Sequence, residues 1–413
     1  MLVSRVTNTM MKNTLLSNLS MNLTRMDKLQ NQMASGRKYG HISDDPSALI
    51  YGQAARNKLA RLSHYQGSVE TAQSWLTQAE AGIMELQKVV GAIYEEVVSA
   101  GSVKTPDDKQ NLAKVVFQLR DHFVDTLNTS FGDRYVFGGY NTPGDFATGR
   151  RGDGIKPFAI DPDSGDLLFN GFNLSVFDGM PAGFLDLKIT SAMTVADVST
   201  ALNPMLTSIM DTDGVTQLYP GGLSDFALAF SAQKGITPPM TEGEIASNLI
   251  MLHQLKNDVI TFDVGPAINM PVTMNGIDVL FYTSTDEITK LPVMRNAFSV
   301  ITEVYDAING TDVVSPDPVE GTDRLTLRIK SLQDAQNHLL TRTAEIGGRM
   351  RRLELLEARY SQDNLNYEQM RSDAEDADMA EVIMFLKMAE TVYQASLSSG
   401  ARVIQPTLMD FLR

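Results

Sequence analysis

The sequence predicts a mainly α-helical chain. Its N- and C-terminal helices form a coiled-coil or helical-bundle scaffold, and a variable mixed-β domain is inserted in the middle. Three observations predict this. First, 13 of the 16 prolines fall within residues 141–320, and proline in a helix interior costs about 3 kcal/mol. The proline-poor ends are therefore free to be long helices. Second, residues 141–320 hold 8 Lys/Arg against 23 Asp/Glu, whereas the remainder holds 27 of each. The whole net charge of −15 thus sits in the middle. Third, apolar residues at both ends recur at spacings of three, four and seven, the period of packed helices.

At the N-terminus, Leu16, Leu19, Leu23, Met26, Gln30 and Met33 follow a 3-4-3-4-3 spacing. A helix from about residue 5 to 35 would be roughly 45 Å long. The stretch MASGRKYGHISDDPSALIYG follows, at 33–52. His41, Asp44 and Asp45 are metal-ligand types, and Ser43 beside Asp44 could serve a nucleophilic site. The simpler reading is a corner. Pro46 suits the first helical position, which leaves Asp45 as the N-cap. Asp44 adds negative charge where the helix dipole favours it, and Gly36 and Gly40 let the chain bend. Asp44, Asp45 and Pro46 are therefore expected to form a structural joint. Residues 46–100 and 107–130 supply further scaffold helices, with Thr105 as a cap before Pro106. FGDRYVFGGYN (131–141) then reads as a β-hairpin or tight turn.

In the middle, DLLFNGFNLSVF, VITFDVG and VTMNGIDVLFY read as strands with Asn-Gly turns. Residues 291–310 return to helical spacing, and 311–321 read as a loop. Leu325, Leu332, Leu339, Ile346, Leu353, Tyr360 and Tyr367 are then spaced by seven without a break, which implies left-handed coiled packing against a partner helix. Ile329, Met350, Leu356 and Met370 add a less regular row. Gly347 and Gly348 weaken that helix by about 1 kcal/mol each and would permit a close backbone approach or a bend. The acidic run Asp373, Glu375, Asp376, Asp378 lacks the spacing of a calcium loop and reads as capping and solvation. The last segment carries Val382, Leu386, Ala389, Tyr393 and Leu397 as a stripe. Ile383, Met384, Phe385 and Met388 widen it beyond what one partner helix covers.

The expected division is residues 1–42 and 376–413 as terminal assembly helices, 43–140 and 291–375 as a helical core with a border hairpin, and 141–290 as an acidic, outward-facing β-rich insert. The acidic balance argues against nucleic acid as a partner. No apolar run approaches the ~20 residues of a membrane span, and the start has no apolar core of signal-peptide type. The expectation is a chain that is cytoplasmic or leaves the cell without a cleaved signal. Zero cysteines exclude disulfides and thiolate chemistry. The histidines His41, His64, His122, His253 and His338 form no local metal motif, and the phosphate-loop, dinucleotide and nucleophile-elbow patterns are absent. No enzyme activity, metal or cofactor is expected. The RGD at 151–153 reads as a chance match.

Several motifs carry a resemblance. RVTNTMMKNTLLSNLSMNLTRMDKLQNQMASGRKYGHISDDPSALIYG resembles the start of the bacterial flagellin superfamily. Pro46 after Asp45, in place of the alanine usual in flagellins, resembles the members that join hook to filament. GGRMRRLE (347–354) is similar to a shared signature, in which Arg352, Leu353 and Glu354 match. DRYVFGGYNT is similar to the border hairpin, and the Leu-Met-Asp-Phe-Leu ending resembles the junction-type C-terminus. The likeness covers roughly residues 1–145 and 320–413, with VGPAINMPVTMNG similar to a strand pair in some relatives. It implies a structural subunit, exported without a cleaved signal, that polymerises as a helical tier of the extracellular flagellum. The implied partners are further copies of itself, hook-associated protein 1 on the hook side, flagellin on the filament side, an export chaperone and the export apparatus. The expected assembly interface is Leu16, Leu19, Leu23, Met26, Val382, Leu386, Tyr393 and Leu397. Two other readings stay open: flagellin, the bulk filament subunit, and a filament-displayed carbohydrate-binding or enzymatic insert.

Overall fold

The computed structural model describes residues 8–40, 44–100, 106–132, 134–139, 156–162, 164–185, 189, 193–209, 217–234, 236, 238–257, 259–285, 291–309 and 324–404. The helices are α1 (Asn8–Ser35), α2 (Pro46–Ala100), α3 (Pro106–Leu127), α4 (Val195–Thr207), α5 (Leu223–Lys234), α6 (Glu242–Lys256), α7 (Gly276–Leu280), α8 (Ala297–Asn309), α9 (Arg324–Glu375) and α10 (Met379–Ile404). The strands are β1 (Ser130–Phe131), β2 (Arg134–Tyr135), β3 (Phe158–Ile160), β4 (Leu167–Phe169), β5 (Phe172–Asn173), β6 (Thr261–Gly265), β7 (Ile268–Pro271), β8 (Phe281–Thr285) and β9 (Pro292–Asn296). The chain divides into two compact units, 1–66 with 357–413, and 67–356. The long helical ends and small central sheets are those the sequence predicts.

In the second unit, α2 buries Val69, Ala72, Leu76, Ala79, Ile83, Leu86, Val90, Ile93 and Val97. Their spacing alternates three and four, a full heptad seam. Leu332, Leu339, Ile346 and Leu353 of α9 are likewise fully buried, as the seven-residue repeat requires. The two helices run antiparallel here: Gln87 Nε2 donates to Thr343 Oγ1 at 3.1 Å, and Gln333 Nε2 donates to the Tyr94 hydroxyl at 2.9 Å. Helix α3 packs on α8, where the Phe117 and Tyr305 rings lie 5.8 Å apart. Gly347 and Gly348 are exposed, and a Cβ on either would meet nothing within 4 Å. The close approach expected of them is not made within this chain.

The hairpin β1–β2 stands where FGDRYVFGGYN predicts it. Gly82 gives the Phe137 ring its place, since a Cβ there would lie 2.9 Å from the ring. Beyond it, β3, β4 and β5 form an antiparallel sheet, turned at Asn170 (φ 51) and Gly171 (φ 81). Positive φ at both central residues is what a two-residue hairpin turn needs. The ribbons β6–β7 and β8–β9 complete the sheets.

Three details differ from the sequence reading. Residues 195–256 contain the helices α4, α5 and α6, packed around the Phe184, Phe226 and Phe230 rings. Thr194 with Asp197, and Thr241 with Glu244, form reciprocal capping boxes that open α4 and α6. Asn275 does not turn a hairpin; its side chain accepts from the Ile277 N–H and caps α7. Residues 292–296 are strand β9 before helix α8 begins, because Val293 and Met294 pair with Ser284 and Thr283 of β8. Thr105, RGD and the loop at 311–321 lie outside the described residues.

A buried charge cluster lies within this unit. Asp178 is fully buried. It accepts from the Asn296 N–H at 2.8 Å and faces Arg295 at 3.3 Å and Lys234 at 3.4 Å. Burial pushes its carboxyl pKa up, but the two cations and the N–H outweigh burial and hold it below the usual carboxylate range.

Candidate functional site

Helices α1 and α10 lie antiparallel. Leu29 of α1 is buried with Val382 and Leu386 of α10, flanked by Met26, Ala377, Phe385 and Ala389. Toward the other end, Leu15 sits on Gly400, where a Cβ would be 2.6 Å from a Leu15 methyl. A side chain there would have to push the Leu15 side chain aside, so glycine favours the close approach. The pair has a narrow apolar seam and few partners of its own.

The structure places the sequence-selected residues unevenly. Val382 and Leu386 are buried, and Leu19, Met26 and Tyr393 are half-buried. Leu16 and Leu23 are 59% and 47% exposed. The inward row of α1 is instead Leu15, Leu19, Asn22, Met26 and Leu29, one residue out of step with the expected stripe at Leu16, Leu23 and Gln30. Asn22 hides that row, because its polar side chain makes Leu23 look like the better seam residue. On α10 the half-buried Ser396 takes the inward place expected of Leu397, which is exposed.

A second apolar stripe remains uncovered. Met384, Met388 and Val392 recur every four residues on α10 and are 53%, 54% and 45% exposed. They lie on a different face from Val382, Leu386 and Tyr393, as 100° per residue dictates. Ile383 is exposed as well. Helix α10 therefore has two apolar faces, and α1 covers one.

The corner joins this pair to the helices α2 and α9 in the first unit. Gly36 (φ 70) turns the chain after α1. The Ala377 N–H donates to Gly36 O at 2.8 Å, and the Lys38 N–H donates to Glu375 O at 2.7 Å. Arg37 and Asp376 form a bridge between these bonds. Asp45 Oδ1 accepts from Ser47 N at 3.1 Å, Ala48 N at 3.0 Å and Ser47 Oγ at 2.7 Å. These bonds, the Ala48 N–H foremost, lower its pKa. Pro46 opens α2. Asp44 pairs with Lys28 at 3.0 Å and accepts from the Gly40 N–H at 3.2 Å. His41 and Ser43 lie outside the described residues.

The acidic run divides its work. Asp378 caps α10, accepting from Ala380 N at 2.9 Å. Glu375 is not a solvated residue as expected: it is 4% exposed and paired with Arg56 of α2. Its burial was hidden from sequence reading because its partner is 319 residues away. Below the corner, Tyr65 stacks on Tyr360 at 6.2 Å, and Lys58 sits over the Tyr367 ring at 5.0 Å. Of the signature residues, Leu353 is buried in the α9 seam, Arg352 is exposed, and Glu354 pairs with Arg351 at 2.9 Å.

Residues 6–142 match the bacterial flagellin N-terminal helical region. The chain is 27% identical over 172 residues to flagellar hook-associated protein 3 of Salmonella typhimurium, covering 40% of this chain and 54% of that relative. It is 28% identical over 117 residues to flagellar hook-associated protein 3 of Escherichia coli, covering 28% and 37%. The matched part thus spans about half the first relative's length and 37% of the second's. Among solved structures, it is similar to a putative flagellar hook-associated protein from Vibrio parahaemolyticus, at 14% identity over 81% of this chain and 100% of that one, with a TM-score of 0.46. It is also similar to the flagellar junction protein FlgL from Legionella pneumophila, at 15% identity over 80% and 100%, with a TM-score of 0.39.

Proposed function

We propose that this chain is a flagellar junction subunit, a non-catalytic structural protein that joins hook to filament as a tier of a helical polymer. The observation that carries the reading is the uncovered stripe Met384, Met388 and Val392 on α10. A helix pair this narrow, apolar on a second face, gains stability when neighbouring copies cover that face. The named relatives support the setting. In this reading the neighbours are other copies laterally, hook-associated protein 1 on the hook side and flagellin on the filament side. The subunit reaches the extracellular flagellum through the export apparatus, after an export chaperone has held its C-terminal region.

The interface consists of the outward residues Leu16, Leu23, Met384, Met388, Val392 and Leu397. Leu19, Met26, Val382, Leu386 and Tyr393 hold α1 on α10 and so present it. Deleting residues 376–413 removes α10. The expected result is loss of incorporation at the hook–filament boundary, read by antibody labelling, while residues 46–370 keep their helical content and unfolding transition. Normal incorporation of the truncated chain would refute the reading.

A further inference from the structure

The corner contains a contact that the assembly reading does not by itself require. We infer that Gly52 is a positioning residue: its bare Cα is the seat of the Glu375 carboxylate, and this seat sets the direction in which the α1–α10 pair leaves α2 and α9. Only the consequence for assembly rests on the function proposed above.

Glu375 is the last residue of α9, and its side chain is 6% exposed. Oε2 pairs with Arg56, one turn beyond Gly52 on α2. A Cβ on Gly52 would lie 2.5 Å from Glu375 Oε1, 2.8 Å from its Cγ and 2.9 Å from the Tyr39 hydroxyl. Atoms of two side chains, Glu375 and Tyr39, therefore converge on the space that the missing side chain leaves. Tyr39 is 7% exposed, and its phenol pKa is raised, first by burial and then by the Glu375 charge. Neither Tyr39 Oη nor Glu375 Oε1 has a hydrogen-bond partner among the described residues. Both lie against the bare Cα of Gly52.

Glu375 cannot yield as a free side chain would. Its carboxylate pairs with Arg56, whose side chain is 40% exposed, and the firmer hold is on its main chain, where its carbonyl accepts from Lys38 N at 2.7 Å. Through the Arg37–Asp376 bridge and the Gly36–Ala377 bond, residues 36–39 and 375–377 form one block. That block carries the end of α1 and leads into α10. Displacing Glu375 from α2 therefore displaces both assembly helices together. The Lys28–Asp44 pair also spans the corner, but its Lys28 side chain is 50% exposed, and such pairs hold geometry weakly.

Alanine is normally the better helix former at a position like 52, so Gly52→Ala reports the seat by reversing that expectation. An added methyl needs Glu375 to move by about 1 Å to reach ordinary contact. Ser20 lies about 24 Å along α1 from Gly36, and helices pack about 8 Å apart, so the shift is magnified to roughly 3 Å there.

The chain has no cysteine, so Ser20→Cys and Ser361→Cys introduce a unique spin-label pair in α1 and α9 of the full-length monomer. Pulsed electron paramagnetic resonance then reads their separation. Gly52→Ala is expected to shift or broaden the distance distribution by about 3 Å. Adding Glu375→Ala should restore it, because the obstructing carboxylate is gone. Glu375→Gln keeps the shape and removes the charge, and should leave the distribution at the parent position. An unchanged distribution in Gly52→Ala overturns the inference. So does a double variant as displaced as Gly52→Ala, or a Glu375→Gln displacement of equal size, which would assign the geometry to the ion pair. These distances are read on the monomer and decide the seat whether or not the chain builds a junction; the truncation decides the latter.

Discussion

Replacing Met384 and Met388 by glutamine should weaken polymerisation and leave the monomer intact. The two side chains are 53% and 54% exposed in the single chain. Glutamine has nearly the same length and helix propensity as methionine, so the monomer should change by no more than about 0.5 kcal/mol. Fully burying one such side chain is worth about 1.5–3 kcal/mol. With roughly half of each still in water, a neighbouring copy gains about 0.8–1.5 kcal/mol per methionine, or about 1.5–3 kcal/mol for the two. At about 1.4 kcal/mol per factor of ten, the critical concentration for polymerisation should rise roughly 10- to 150-fold. Sedimentation of assembled material across a concentration series measures it, with thermal unfolding of the monomer as control. An unchanged critical concentration would refute the claim that a neighbour covers this stripe. A lowered monomer midpoint would show that the methionines already work within the chain.

Further outcomes concern the monomer. Leu339→Ala empties a fully buried position in the α9 seam and should cost about 2–5 kcal/mol; a change under about 0.5 kcal/mol in a denaturant titration would contradict the seam. His338 is held neutral by burial and by Arg342, its pKa lowered to about 4, while its ring nitrogen meets Asp278 O at 3.0 Å. A depressed histidine pKa means that the unfolded chain takes up the proton first. Stability is then fully present above about pH 6.5, the unfolded value, and is lost progressively down to about pH 4, by roughly 3 kcal/mol. His338→Gln should flatten that part of the stability profile, and an unaltered slope would reject the assignment. Asp45→Ala removes the cap of α2 and should raise amide exchange at Ser47 and Ala48, with only a small drop in the unfolding midpoint.

The long-range repeats were the most legible part of the sequence. The seven-residue row of α9 is buried from Leu332 to Tyr360, because one strict period kept from Leu325 to Tyr367 leaves little freedom of phase. The Asp45–Pro46 corner was legible for a local reason, since a cap acts within three residues. The α2 seam was harder to see: Ala72 and Ala79 occupy seam positions where small residues do not stand out. In α1, a 3-4 spacing allows two neighbouring phases, and Asn22 favoured the wrong one. The helices of the middle announce themselves only through Thr194–Asp197 and Thr241–Glu244, two short polar signals within an acidic, proline-rich stretch. Glu375 gave no signal, because what buries it comes from Gly52 and Arg56, more than 300 residues away.

The seating of Leu15 on Gly400 also bears on the order of folding. It ties together two points about 385 residues apart. Closing so long a loop in an otherwise unstructured chain would cost roughly 5 kcal/mol of entropy, against a seam whose buried centre is Leu29, Val382 and Leu386. Once α2 and α9 have met in the first unit, only the short links at 36–45 and 376–378 remain to be closed, and most of that cost has already been met. The terminal pair is therefore the last part of the subunit to form and the first to open. Until then its apolar rows stay separate, and each is open to a complementary row on another molecule.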